Sequence, residues 1–395
     1  MHNTWYSKKR NMVRNINGKG GKMEKKKKTM QDYIELTPDM IRKNVQKNEE
    51  LTKVLVDEFN RDHFDSILII ASGSSYNASM GARPFLKKIM KMNVDVITPF
   101  TFEHYENEFY GNPFVVVVSQ SGCSTNSISA LKKLKAMGHR AIGITSNVNS
   151  DFGDGICDVV VDYGIGIETV GYVTLGMVGL VLYFMLFALN VARGKTLTEE
   201  KYTYYLEELN KAAQCHEDVQ NKVKDFYELN KRNLLSMQNC YVVGMGPNFG
   251  TALEGALKFS ETIQVVSVAY ELEEFLHGPN FQLTPNYTLF FIDNEDETSD
   301  RLLDIYEGYS TVTDRCFIIS NSERIQGDHV LRIDDLTCED VSMLYKVVVF
   351  EYLAYKVTTD LNKWQYHPLA KVVKIRLLKS KVQNIKRDMI SFRNR

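Results

Sequence analysis

Four side chains within the six residues Ser119-Gln120-Ser121-Gly122-Cys123-Ser124 can donate a hydrogen bond to an oxyanion without carrying charge: Ser119, Gln120, Ser121 and Ser124. The segment follows the apolar run Phe114–Val118 and precedes a helical pattern that begins near Thr125. A strand that becomes a helix through such a turn builds a phosphate cradle. The helix N-terminus offers unpaired N–H groups and the positive end of its dipole, and neutral hydroxyls orient the anion without trapping it. The plainer alternative is that these hydroxyls only cap the helix. A small phosphorylated metabolite is therefore the first ligand to consider. Ser74 and Ser75, on the turn after an earlier apolar run, can converge on the same phosphate.

A second constellation lies far along the chain. Glu254, Lys258 and Glu261 recur at spacings of four and three, so a helix sets them on one face. Taken alone, that pattern reads as a solvated charged face. His277 heads the turn His277-Gly278-Pro279, where a side chain projects from irregular backbone, although a lone loop histidine is usually inert.

The elements that must position these residues come in two series. Strand-like runs alternate with amphipathic helical patterns, which calls for an α/β fold with parallel sheets. Residues 65–75 open the first series and residues 239–246 the second, each entering a small-residue turn and then a helix starting near Tyr76 or Phe249. Phe102-Glu103-His104-Tyr105 corresponds to Leu272-Glu273-Glu274-Phe275, so the chain reads as two copies of one fold. The copies diverge after their third apolar run. The second has Asp293-Asn294-Glu295-Asp296 in place of the serine-rich turn, and those acids repel a phosphate, so only the first half keeps the cradle.

Composition narrows the remaining classes. The 395 residues, 44% of them hydrophobic, suffice for two to three domains with ample core. Residues 1–29 carry ten Lys or Arg against one acid, which leaves 38 basic against 48 acidic residues in the body. A body this acidic argues against extended nucleic-acid binding. Six cysteines, scattered without a CxxC pair or a zinc-type spacing, fit a reducing, cytoplasmic compartment and no structural metal. Thr169–Ala192 is uncharged and reads by length like a membrane span, yet its glycines, tyrosines and Asn190 favour a buried helix, with a subunit interface as one place for it. Gly18-Lys19-Gly20-Gly21-Lys22 before Met23 reads like a translated purine-rich ribosome-binding site. Residues 1–22 are accordingly expected to be a start-site artefact, with the natural chain beginning at Met23 or Met30.

Five motifs in order resemble one family: Ser72-Gly73-Ser74-Ser75-Tyr76-Asn77, Ser119-Gln120-Ser121-Gly122, Glu254-Gly255-Ala256-Leu257-Lys258 with Glu261, His277-Gly278-Pro279, and Leu369-Ala370-Lys371. Together they are similar to the double sugar-isomerase (SIS) domains of glucosamine-6-phosphate synthase and of the fructosamine-6-phosphate deglycases. That resemblance implies two tandem SIS domains, each a flavodoxin-like three-layer sandwich. The division expected is a basic extension over 1–30, a first domain with helical lead-in over 31–198, a second with linker helices over 199–373, and a basic tail over 374–395. By position it assigns Ser74, Ser75, Ser119, Gln120, Ser121 and Ser124 to the sugar phosphate, and Glu168 to the pocket as an acid. Glu261 becomes the base that moves a proton between C1 and C2, assisted by Lys258. Lys371 engages the open-chain carbonyl. His277, supplied in the synthase by the neighbouring subunit, helps ring opening or protonates the departing nitrogen, which implies a homodimer or higher homo-oligomer.

Neither a metal nor an organic cofactor is needed for such a proton shuttle, and neither nucleic acid nor membrane is an expected partner. No cysteine precedes Cys123 to serve as the nucleophile of the synthase's glutaminase domain. The expected activity is therefore a deglycase or deaminase that splits an amino-linked hexose 6-phosphate. Lys371 is synthase-like, which keeps a C2-linked, glucosamine-type substrate open. The alternatives are a phosphosugar isomerase, an ammonia-dependent aminating isomerase and a non-catalytic sugar-phosphate sensor.

Overall fold

The computed structural model describes residues 28–333 and 337–365. The start-site question, the basic extension through residue 27, Lys371 and the tail 374–395 lie outside the described residues. In chain order the elements are α1 (Met30–Gln46), α2 (Asn48–Phe59), β1 (Ser66–Ile70), α3 (Ser74–Met90), β2 (Asn93–Ile97), α4 (Pro99–His104), β3 (Pro113–Val118), α5 (Thr125–Ala136), β4 (Ile142–Thr145) and β5 (Val159–Asp162). There follow α6 (Leu175–Ala192), α7 (Glu199–Leu235), β6 (Asn239–Val243), α8 (Pro247–Lys258), β7 (Val266–Tyr270), β8 (Tyr287–Ile292), α9 (Ser299–Ser310), β9 (Cys316–Ile319), β10 (Val330–Leu331) and α10 (Met343–Asp360).

The strands make two five-stranded parallel sheets, ordered β2-β1-β3-β4-β5 and β7-β6-β8-β9-β10, so the second repeats the first strand for strand. The central strands are short runs of branched apolar residues, Ser-Ile-Leu-Ile-Ile in β1 and Pro-Phe-Val-Val-Val-Val in β3, as a sheet covered on both faces requires. Ile70 of β1 is in register with Ile97 of β2 and Val117 of β3, so the turns leaving β1 and β3 emerge side by side. There the strand order reverses, and a crevice opens at the carboxyl ends of the strands.

One continuous buried cluster runs from Ile67 and Phe85 of the first half through α6 and α7 to Val242, Phe290 and Phe350 of the second. The halves therefore share a core, with α3 packed on α8 and α7 packed against both α1 and α10. Helix α6 is the uncharged stretch noted above. It starts at Leu175 rather than Thr169, and every residue of it except Asn190 is buried. Its neighbours are α1, α2, α3 and α10 of the same chain, so the protomer itself covers it, where a subunit interface had been one expectation. Residues 169–174 are instead the loop that carries the chain past the crevice.

Candidate active site

The turn after β3 is stiff because its backbone is specified residue by residue. Gly122 has φ +64, and a Cβ there would sit 1.8 Å from Ser150 Oγ, so glycine alone fits. The Gln120 carbonyl accepts from Thr145 Oγ1 at 3.0 Å and Ser146 Oγ at 2.9 Å, which ties the turn to the end of β4. Ser124 is the residue at the N-cap of α5, yet its side chain makes no capping hydrogen bond. Its hydroxyl instead accepts from Ser119 Oγ at 3.2 Å, and Ser121 Oγ accepts from the Cys123 amide at 3.3 Å. Capping thus does not account for the serine cluster, and the first-turn amides of α5 remain directed at the crevice.

Glu168 enters from the loop before α6. Its carboxylate accepts from Gln120 Nε2 at 2.7 Å, the Thr174 amide at 2.9 Å and the Gly176 amide at 3.1 Å. Burial pushes its pKa up, against the pull of these donors. In this geometry Glu168 holds the Ser119–Ser124 turn, the loop and the start of α6 together.

The charged face of α8 is buried, not solvated. Glu254 and Lys258 have no exposed side-chain surface, and the side chain of Glu261, on the π-helical turn Phe259–Ile263, is 28% exposed. Ser74 Oγ and Asn77 Nδ2, on the first turn of α3, donate to Glu254 at 2.7 and 2.8 Å, so a carboxylate of the second half is clasped by the first. Ser74, read as a phosphate ligand, spends its hydroxyl on this clasp. Lys258 Nζ reaches Glu254 Oε1 at 3.1 Å, Ser74 Oγ at 3.5 Å and Glu261 in a short contact. Burial alone would lower the Lys258 pKa, but the two carboxylates outweigh it and hold the ammonium above its ordinary value. Burial raises the pKa of Glu261, and Lys258 opposes the shift.

These pieces meet in a cavity of about 570 Å³, whose walls include Ser75, Ser119, Gln120, Ser121, Ser124 and Glu261. Ser74 and Glu168 also line it. Glu261 and the Ser119–Ser124 turn therefore belong to one space within one protomer. His277 does not join them: it ends the 3-10 turn Glu274–Leu276 on the second half, is exposed, and is absent from the cavity wall. Ser146 and Asn147 line the cavity as well and were not singled out from sequence. Their signal was legible, because they directly follow β4, another parallel strand ending at the crevice. The corresponding turn of the second half is closed by its own bonds. Asp293 accepts from Ser299 Oγ and Ser320 Oγ, both at 2.6 Å, and its carbonyl accepts from Lys346 Nζ at 2.8 Å.

Comparison with known proteins gives this arrangement its relatives. Over 314 residues the chain is 26% identical to the isomerizing glutamine–fructose-6-phosphate aminotransferase of Chlorobaculum tepidum, a match covering 74% of this chain and 48% of that protein. The chain thus spans about half the length of the curated relatives it matches. A candidate phosphosugar isomerase from Clostridium difficile superposes with a TM-score of 0.81 at 26% identity, over 90% of this chain and all of that one. The C-terminal domain of glucosamine-fructose-6-phosphate aminotransferase from Francisella tularensis shares the fold, with a TM-score of 0.75 at 22% identity, over 88% of this chain and all of that domain. The SIS domain model matches residues 63–189 and 233–308, more than half of the sequence, with the whole first sheet and part of the second, and the chain belongs to the SIS-domain family.

Proposed function

We propose that the chain is a sugar-phosphate deglycase or deaminase that breaks the C–N bond of an amino-linked hexose 6-phosphate. The observation that carries this reading is the shared cavity: Glu261 and the Ser119–Ser124 turn line one space. The phosphate anchors on the turn, and the remote binding energy holds C1 and C2 beneath the carboxylate. Glu261 takes a proton from the nitrogen-bearing carbon and returns it to the neighbouring carbonyl carbon, which converts the amine linkage into an imine. Water then adds to the imine, the C–N bond breaks, and the amine leaves. Lys258 keeps Glu261 ionised and aimed, and Lys371 is assigned to the open-chain carbonyl. His277 acts from a second subunit on ring opening or on the departing nitrogen. A cavity of about 570 Å³ has room beyond a hexose phosphate for a nitrogen substituent.

A plain aldose–ketose isomerase is the second reading, favoured by the description of the Clostridium difficile relative as a candidate phosphosugar isomerase. The two separate on products. The purified protein is incubated with fructoselysine, glucoselysine, fructose-asparagine and glucosamine 6-phosphates, and separately with glucose 6-phosphate and with fructose 6-phosphate, and free amine, glucose 6-phosphate and fructose 6-phosphate are measured. Amine release with glucose 6-phosphate marks a C1 linkage, and with fructose 6-phosphate a C2 linkage. Interconversion of hexose 6-phosphates without any amine release would sink the deglycase. In either case Glu261→Gln should still bind hexose 6-phosphates while turnover falls about 10²- to 10⁴-fold, since only proton transfer is lost.

A further inference from the structure

Behind the cavity lies a carboxyl group that the proposed reaction leaves unused. Glu351 sits near the middle of α10, fully buried, and neither carboxylate oxygen has a hydrogen-bond partner among the described residues. Helix α10 packs directly on α8, where a Cβ at Gly255 would meet the Phe350 ring at 2.7 Å. The charged groups facing Glu351 are Glu254 and Lys258 from α8 and Glu168 from the loop before α6.

The count of donors decides its state. An ammonium has three N–H bonds, and Lys258 has its three partners in Glu254, Ser74 and Glu261. Nothing is left for Glu351. A buried carboxylate with no donor and with anionic neighbours holds its proton instead of its charge, and burial followed by repulsion from Glu254 pushes it in that direction. A carboxyl held this way costs stability that a leucine would not.

We propose that Glu351 is a positioning residue of this site, an uncharged acid that leaves Lys258 wholly committed to Glu254 and Glu261. Its ionisation sets a second anion beside Glu254, draws the ammonium towards α10 and takes from Glu261 the partner that aims it. Glu351 acts on the sugar only through Lys258 and Glu261, so the inference rests on the proton-transfer reading above.

The test compares full-length wild type with Glu351→Gln, which is locked neutral, and Glu351→Leu, which serves should the amide variant fail to fold. In infrared difference spectra at pH 7, wild type minus variant should contain the carbonyl stretch of an un-ionised carboxylic acid. Turnover of whichever sugar phosphate the product screen identifies is then followed from pH 5 to 9. The acid limb, set by Glu261, should stay in place. The alkaline fall that follows from Glu351 ionisation should be absent from the variant, so that kcat at the alkaline end is about tenfold above wild type. Superimposable alkaline limbs, or a difference spectrum without that band, would overturn the proposal. Should no sugar phosphate be turned over, the proton-transfer reading falls and takes the positioning role with it, while the infrared band still decides where the proton resides.

Discussion

Glu261 shows how far spacing alone reaches. The i, i+4, i+7 pattern of Glu254, Lys258 and Glu261 was plain in the sequence, but its meaning depended on burial, which spacing does not encode. On a surface the same pattern is a weak ion-pair ladder; here α3 and α10 cover it, and it becomes a cluster whose every donor is spent. The serine turn was more legible, because hydroxyls between an apolar strand and a helix have few other uses. His216 was missed altogether, since a histidine within a helical pattern carries no signal of its surroundings. It lies in the middle of α7, fully buried, with Nδ1 bonded to Gln220 Nε2 at 3.0 Å and Nε2 without a partner among the described residues. Burial lowers its pKa from 6.5 to about 3. In the unfolded chain the ring binds a proton near pH 6.5 and in the fold it does not, so stability is full above that pH and is lost as pH falls towards 3. The slope from this one group approaches about 1.4 kcal/mol per pH unit. His216→Leu leaves Gln220 Nε2 its bond to the Ile34 carbonyl and should flatten that slope. Urea unfolding at pH 7, 6, 5 and 4 checks it, and wild-type and variant stabilities falling in parallel would exclude His216 as the source.

Among the elements, the repeat was the strongest sequence signal. Apolar runs at β1 and β6 and again at β3 and β8 carry the period of a parallel sheet, and the small-residue turns after β1 and β6 put Gly73 and Gly246 at the same positive φ. What the repeat did not disclose is how the halves pack, because that depends on helix faces meeting at a distance in sequence. Helices α3 and α8 cross at Gly81 and Gly250: a Cβ on Gly250 would sit 2.6 Å from Gly81 Cα and 2.7 Å from Gly81 N. Backbone cannot yield as a side chain can. Gly250→Ala must push α8 off α3 and stretch the Ser74 and Asn77 bonds to Glu254, which begin one helical turn away. The expected cost is about 1–3 kcal/mol, together with a lower affinity for hexose 6-phosphates. Gly308→Ala on α9, where nothing lies within 4 Å of the added Cβ, is the matched control and should gain about 0.4–1 kcal/mol. Equal melting temperatures for the two variants would mean that the crossing is looser than its geometry requires.

The whole molecule divides its labour unequally between halves of one fold. The first half carries the Ser119–Ser124 turn, the second carries Glu261, and the clasp from α3 to Glu254 joins the halves inside one protomer. His277 stands outside this arrangement, exposed on the second half. The part assigned to it by resemblance therefore requires another copy of the chain to deliver it. A two-fold dimer gives a numerical consequence, because each site then takes Glu261 from one subunit and His277 from the other. Glu261→Gln and His277→Ala should each abolish most turnover as pure proteins. When the two are unfolded, mixed in equal amounts and refolded, about half of the dimers are mixed. Each mixed dimer contains one site with both native residues, so about one quarter of wild-type activity should return. If His277 served its own protomer, every site would lack one residue or the other and mixing would restore nothing. Activity left intact in the pure His277→Ala protein would remove that residue from the chemistry and leave the shared cavity of Glu261 and the serine turn to act alone.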